Sequence, residues 1–231
     1  MVSIRSYLAK RRVGSFFLFF LAAWVAPAAD LSELLDRWCA GQTNIHTWSA
    51  DLTQIRSLKV LSQPLVSQGK VWLAIPNRFR WELGQPAQTI ALRQPDQLLL
   101  IYPRLKRAEK YPLGDAQSGP WKDALALLDA SFPRNKAELE SRFRVLSMAQ
   151  TNSIVTLALQ PKSASARQFM PEIHVSFGTN DYTPTATELR FSDGSRMRSI
   201  FTHPILNAPL DEGLFDARLT ADITVVEPLR Q

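Results

Sequence analysis

Residues 69–102 constrain the fold more than any other part of the chain. Within them, charged and apolar residues alternate without interruption over residues 78–83, a period of two that is typical of a strand with one polar and one apolar face. Neighbouring segments of similar length are separated by proline, glycine, asparagine and aspartate, which favour turns. The sequence therefore predicts consecutive antiparallel strands that place large apolar side chains on one side of a sheet.

Similar strand patterns continue along most of the chain. A central segment with helical periodicity interrupts them, and Asp193-Gly194 is typical of a hairpin turn. The predicted strands span residues 48–56, 65–74, 78–83, 89–93, 97–102, 107–111, 143–148, 154–160, 172–177, 187–191, 196–202 and 223–226. About 10–12 short antiparallel strands predict a mainly β domain, either a barrel or a strongly curved half-barrel, with helices at its mouth.

Helical periodicity is predicted in three places. The first helix follows a capping signal at Asp30 and ends at Gly41. The second begins at Gly119 and Pro120, and a third, short helix is predicted over residues 136–142. The apolar stripes consist of Leu31, Leu34, Leu35 and Trp38 in the first helix and of Trp121, Leu125 and Leu128 in the second.

The first 29 residues have the composition of a cleavable export signal. Four basic residues, at position 5 and at positions 10–12, precede an apolar run over residues 16–25, and the small residues Ala26-Pro27-Ala28 follow. This apolar run is about half of the ~20 residues that cross a bilayer, which disfavours a membrane anchor. We therefore predict a signal peptide at residues 1–29 and a single domain at residues 30–231.

Loss of this segment would remove most of the positive charge. The whole chain has 27 basic and 21 acidic residues, a formal net charge of +6, and without the four basic residues of the export signal the net charge is +2. This modest charge gives no reason to expect a nucleic-acid partner. The single cysteine, Cys39, excludes an internal disulfide, so the fold depends on its apolar core.

Few residues in the sequence suggest catalysis. The histidines His46, His174 and His203 are far apart, and none has a metal-ligand spacing with another histidine or with Cys39. The chain contains no GxSxG elbow, P-loop or GxGxxG motif. We therefore expect no catalytic residues, no metal and no cofactor, although carboxylates that converge inside an apolar pocket would instead indicate an enzyme.

Several segments resemble the LolA family of periplasmic lipoprotein carriers. The resemblance rests on Gly69-Lys70-Val71-Trp72-Leu73 and, a few residues later, on Pro76-Asn77-Arg78-Phe79-Arg80-Trp81, with further support from Ala50-Asp51-Leu52-Thr53-Gln54. Weaker similarity continues towards the C-terminal hairpins. A PxxFxW core after a GxxW strand is fairly specific, and the resemblance covers most of the chain after residue 29.

The resemblance implies an incomplete antiparallel barrel whose concave apolar face is covered by a helical lid. It implies a periplasmic, non-enzymatic carrier, which we expect to be monomeric. Such a carrier accepts lipoproteins from an ABC-type release complex in the inner membrane and passes them to an outer-membrane receptor. The acyl-chain cavity would be lined by Phe79, Trp81, Leu83, Ile90, Leu92, Leu98, Leu100, Val175, Phe177, Leu189 and Phe191. The lid would consist of Leu35, Trp38, Trp121, Leu125 and Leu128.

One position departs from the family pattern. Well-known members carry a basic residue directly before the motif proline, where it bonds to the lid, whereas this chain has Ala74-Ile75 before Pro76 and arginine only at Arg78 and Arg80. Lid closure would then depend on other contacts, or the protein would be a carrier or sensor of another amphiphile, such as a glycolipid or a pigment-lipid conjugate. The sequence leaves both alternatives open.

Overall fold

Twelve strands and three α-helices make up the part of the chain that the structure describes. The structure is a computed structural model, and it describes residues 28–113 and 131–228, with side chains from residue 31 onward. In chain order the elements are α1 (Ala28–Gln42), β1 (Thr47–Ser57), β2 (Leu65–Ala74), β3 (Arg78–Leu83), β4 (Thr89–Arg93), β5 (Gln97–Tyr102), β6 (Arg107–Pro112), α2 (Lys136–Arg142), β7 (Phe143–Thr151), β8 (Ile154–Pro161), α3 (Ala164–Phe169), β9 (Glu172–Gly178), β10 (Pro184–Arg190), β11 (Arg196–Leu206) and β12 (Thr224–Val226). Short 3-10 helices occupy Pro103–Leu105 and Glu212–Phe215.

All twelve strands belong to one open sheet. Their order is β12-β6-β5-β4-β3-β2-β1-β11-β10-β9-β8-β7. Neighbouring strands are antiparallel, except that β12 runs parallel to β6. Among the described strands, the edges β7 and β12 do not pair with each other, so the barrel stays open. The predicted fold class, a mainly β incomplete barrel, is confirmed.

The sheet is so strongly bent that distant strands face each other. Leu100 of β5 and Ile173 of β9 line the same cavity, although seven strand spacings separate them in the sheet. Because neighbouring strands lie about 4.8 Å apart, a flat sheet would separate these two strands by roughly 30 Å. Both side chains therefore project from a concave face.

The helix α1 covers one end of this concave face. Trp38 is fully buried, and its ring stacks on that of Phe177 in β9, with centroids 4.6 Å apart and planes 7° from parallel. The helix passes the predicted end at Gly41 and continues to Gln42, whose side-chain amide donates to the carbonyl oxygen of Tyr182 at 2.7 Å. A Cβ on Gly41 would lie 3.0 Å from the Tyr182 ring, so this glycine permits close packing instead of ending the helix.

The predicted helix over residues 136–142 is confirmed as α2, whereas the other helices depart from the prediction or lie outside the described residues. The helix α1 begins at Ala28, which places the predicted cap Asp30 inside the helix. The helix α3 was not predicted; Ser163 caps it by accepting a hydrogen bond from the backbone NH of Ala166 at 3.3 Å. The predicted helix with Trp121, Leu125 and Leu128 lies outside the described residues, as does most of the predicted export signal. None of the described helices is long and apolar enough to cross a membrane.

The C-terminal segment covers the convex face of β4, β5 and β6. Phe215 is buried there against Leu92, Leu99 and Ile101, and β12 then pairs with β6. The strands β4 and β5 are consequently covered on their convex face, while their concave face borders the interior of the sheet. This explains the nearly continuous apolar sequence of β5, in contrast to the strict alternation in β3.

Candidate functional site

An apolar cavity of about 240 Å³ lies on the concave face. It is framed by β1–β5 and β9–β11 and by Ser131 and Phe132, which precede α2. The apolar lining consists of Trp48, Val71, Leu73, Phe79, Trp81, Leu83, Ala91, Leu98, Leu100, Phe132, Ile173, Leu189, Met197 and Phe201. The polar lining consists of Gln54, Thr89, Ser131, Thr187 and Ser199. Such an apolar hollow with a few polar groups is typical of a site for a hydrophobic ligand.

Strand register explains why these side chains share one face. Trp81 pairs with Val71 on one side and with Ala91 on the other, and Ala91 pairs with Leu100. Residues directly opposite each other in antiparallel strands project to the same face of the sheet. The row from β2 to β5 therefore forms one floor of the cavity, and the small side chain of Ala91 leaves space between Trp81 and Leu100.

Six of the eleven predicted cavity residues line this space. They are Phe79, Trp81, Leu83, Leu98, Leu100 and Leu189. The sequence signal for them was the period-two alternation of β3 and the apolar positions two residues apart in β5. Their role towards a ligand is taken up under the proposed function.

The prediction that Ile90 and Leu92 share this face is wrong. Ile90 pairs with Glu82, and Leu92 pairs with Arg80, so both project with the charged side chains of β3 from the convex face. Leu92 is completely buried there in the cluster around Phe215. The concave face of β4 carries Thr89, Ala91 and Arg93, so the more apolar face of this strand is the convex one, which the C-terminal segment covers. The prediction assumed that the more apolar face borders the cavity.

The other predicted residues lie at the end of the concave face that α1 covers. Val175 and Phe177 have no exposed surface and pack with Trp38 and Leu35, while Phe191 contacts the edge of the same cluster. Leu35 and Trp38, predicted as part of a lid, thus fill this end and do not line the cavity. The other predicted lid residues, Trp121, Leu125 and Leu128, are outside the described residues.

Sequence reasoning missed an aromatic wall of the cavity. The ring of Trp48 in β1 meets Phe201 of β11 edge-on, with centroids 5.1 Å apart, and meets Phe132 with centroids 5.3 Å apart. The available signal in the sequence was the alternation of apolar residues along β1 and β11. The polar Gln54 and Ser199 interrupt the apolar pattern in these strands and concealed it.

The described lining of the cavity offers hydrogen bonds but no acid or base. Its polar groups are one amide and four hydroxyls, and none of its described lining residues is titratable. The thiol of Cys39 is buried in α1, and this burial, followed by the charge of Asp36, raises its pKa to about 11, which disfavours the nucleophilic thiolate. Within the described residues, no group of three or more histidine, cysteine, aspartate or glutamate side chains could hold a metal ion.

Comparison with known proteins identifies a family for this chain. The family model described as "Outer membrane lipoprotein carrier protein LolA" matches residues 43–218, a range that contains every lining residue of the cavity. An outer-membrane lipoprotein carrier protein of Coxiella burnetii is 26% identical over 216 residues, which cover 91% of this chain and 93% of the relative.

A solved structure of an uncharacterized conserved protein from Thermus thermophilus is similar at 12% identity and a TM-score of 0.49, covering 86% of this chain and 99% of that one. A putative outer membrane lipoprotein-sorting protein domain from Vibrio parahaemolyticus is similar at 13% identity and a TM-score of 0.44, covering 80% of this chain and 95% of that one.

Proposed function

Because this chain belongs to the LolA family of outer-membrane lipoprotein carrier proteins, we propose that it binds the acyl chains of lipoproteins in the concave cavity and carries them between the two membranes. It works without catalysis in the periplasm. An ABC-type release complex in the inner membrane supplies the cargo, and an outer-membrane receptor accepts it. The observation that carries the proposal is the apolar cavity, whose described lining contains no titratable group.

The energetics of acyl chains explain why such a carrier needs this surface. Burial of one methylene group is worth about 0.8 kcal/mol, so an acyl chain of ~16 carbons costs on the order of 10 kcal/mol to expose to water. Trp81, Leu83 and Leu100 present partly exposed apolar surface to the cavity, where a chain can replace their contact with water. The carrier then moves the chain from one apolar environment to another.

The two ends of the concave face have different tasks in this proposal. Trp38 and Phe177 fill one end completely, so α1 serves there as a fixed part of the core, and the acyl chains occupy the other end. The proposed carrier works as a monomer. Cargo binding then needs no second subunit.

A charged residue on the cavity floor tests the proposal. We expect Leu100→Glu to weaken the binding of a fluorescent diacylated lipopeptide by at least about tenfold, because an unpaired carboxylate in an apolar site costs free energy. The matched control is Leu146→Glu, since Leu146 is 43% exposed on β7 and does not line the cavity. Urea unfolding of both variants checks that each is folded. Undiminished lipopeptide binding by folded Leu100→Glu would refute the assignment of the cavity.

A further inference from the structure

A second pocket, of about 260 Å³, adjoins the acyl cavity. We call it the arginine pocket, because its lining includes Arg78, Arg93, Arg134 and Arg142. The only acidic residue among its described lining residues is Glu138. This charged lining contrasts with the lining of the cavity, whose described residues carry no charge.

The two spaces share part of their walls. Leu73, Phe79 and Phe132 line both the cavity and the arginine pocket. Arg93 is the last residue of β4, and it pairs with Phe79 of β3 and Leu98 of β5, two residues of the cavity floor. Its position in the register thus directs it to the concave face, at the border of the cavity. A ligand with an apolar and an anionic part could occupy both spaces together.

Carboxylates among the described residues bind Arg142 and Arg78. Arg142 pairs with Glu138 at 3.1 Å. Arg78 binds both carboxylate oxygens of Glu212, and its guanidinium lies 5.0 Å from the centre of the Phe215 ring. Because Phe215 covers the convex face, the guanidinium of Arg78 lies on that side. The other charged residues of the pocket lining are Arg93, Arg134, Arg142 and Glu138, and their formal net charge is positive.

The planar guanidinium group is well suited to phosphate. It presents paired NH donors that match two phosphate oxygens, and a phosphate has further oxygens for other arginines. A convergence of several arginines therefore fits a phosphate better than a single carboxylate. We propose that the arginine pocket binds the phosphate head group of an acyl lipid whose chains occupy the adjoining cavity, so that anionic phospholipids are ligands of this carrier. This inference rests on the proposed function, because it uses the same acyl cavity.

Two soluble lipids that differ only in the phosphate provide the test. Dioctanoyl phosphatidic acid and dioctanoylglycerol are titrated into the full chain, and the fluorescence of its tryptophans, one of which lines the cavity floor, reports binding. We expect phosphatidic acid to bind at least about tenfold more tightly, because hydrogen bonds to charged groups are stronger than those between neutral groups. High salt should reduce this preference by screening. Equal affinity for the two lipids would overturn the inference.

Variants and competitors sharpen the result. In the double variant Arg93→Gln/Arg134→Gln, the affinity ratio of the two lipids should fall towards one. The control variant Arg144→Gln should keep the wild-type affinity ratio. The exposed Arg144 donates a hydrogen bond to Gln160 on β8, outside the pocket. A double variant that keeps the full preference would contradict the assignment.

Inorganic phosphate separates a lipid head group from a free anion. Added at millimolar concentration, it should displace phosphatidic acid only weakly, because the acyl chains supply most of the binding. If it abolishes the preference entirely, the pocket is a site for free phosphate and the inference is wrong. A diacylated lipopeptide in the same assay tests the proposed function separately. If the lipopeptide binds but phosphatidic acid binds no more tightly than dioctanoylglycerol, only this inference fails.

Discussion

The two ends of the concave face are built from the same kinds of residue, but only one of them is filled. At the filled end, Val155, Leu157, Val175 and Phe177 have no exposed surface beneath α1. At the vacant end, Trp81, Leu83 and Leu100 are only partly buried and border the cavity. An apolar strand face therefore becomes a core or a binding surface according to what packs on it.

Local geometry accounts for this difference. At the filled end, Trp38 stacks directly on Phe177 with centroids 4.6 Å apart. At the vacant end, the nearest aromatic partner of Trp81 among the described residues is Phe201, at 6.5 Å, and small Ala91 stands beside Trp81 in the next strand. The first arrangement uses the whole surface for packing, whereas the second leaves space between large side chains.

The largest effect is expected from removal of the stacked ring at the filled end. Trp38→Ala should lower the free energy of unfolding by about 3–5 kcal/mol, because it leaves a large cavity in a close-packed core. Leu100→Ala at the vacant end should cost only about 1 kcal/mol, because Leu100 already borders empty space. Urea unfolding monitored by circular dichroism measures both values. Equal losses in the two variants would show that the ends do not differ in packing.

An added phenyl ring should affect the two ends in opposite ways. Val175→Phe should lower the free energy of unfolding by about 1–3 kcal/mol, because no space exists beneath α1. Ala91→Phe should change it by no more than about 0.5 kcal/mol, since the ring can enter the cavity. The same Ala91→Phe substitution should weaken lipopeptide binding by occupying the site. If Ala91→Phe proves as destabilising as Val175→Phe, the cavity is not available space.

The last prediction concerns the titration of the buried thiol in α1. Burial raises the pKa of Cys39 to about 11, whereas the thiol of the unfolded chain has the ordinary value of 9.0. Because the unfolded state releases its proton first, the free energy of unfolding should fall as the pH rises from 9 towards 11, with no contribution from this group below pH 9. Unfolding curves at about pH 8 and about pH 10.5, compared with those of Cys39→Ala, measure the difference. Identical pH dependence in the two proteins would contradict a buried, protonated thiol.

The success of prediction from the sequence depended on the periodicity of each strand. The alternation in β3 oriented Phe79, Trp81 and Leu83 correctly, because Arg80 and Glu82 mark the opposite face. Ile90 and Leu92 were assigned to the wrong face, because the more apolar face of β4 packs beneath the C-terminal segment and not against the cavity. The aromatic wall of Trp48 and Phe201 was missed because it joins β1 and β11, which are neighbours in the sheet but about 150 positions apart in the chain.

The amino-acid sequence by itself determined the strands, the open β architecture and the family, because these follow from local periodicity and from motifs of adjacent residues. Only the tertiary structure decided which apolar face is filled by α1, which is covered by the C-terminal segment and which stays vacant. It also decided that Arg93, Arg134 and Arg142 meet beside the cavity. The physical reason is that burial and charge proximity depend on contacts between distant segments, and these contacts are set by sheet curvature and strand register.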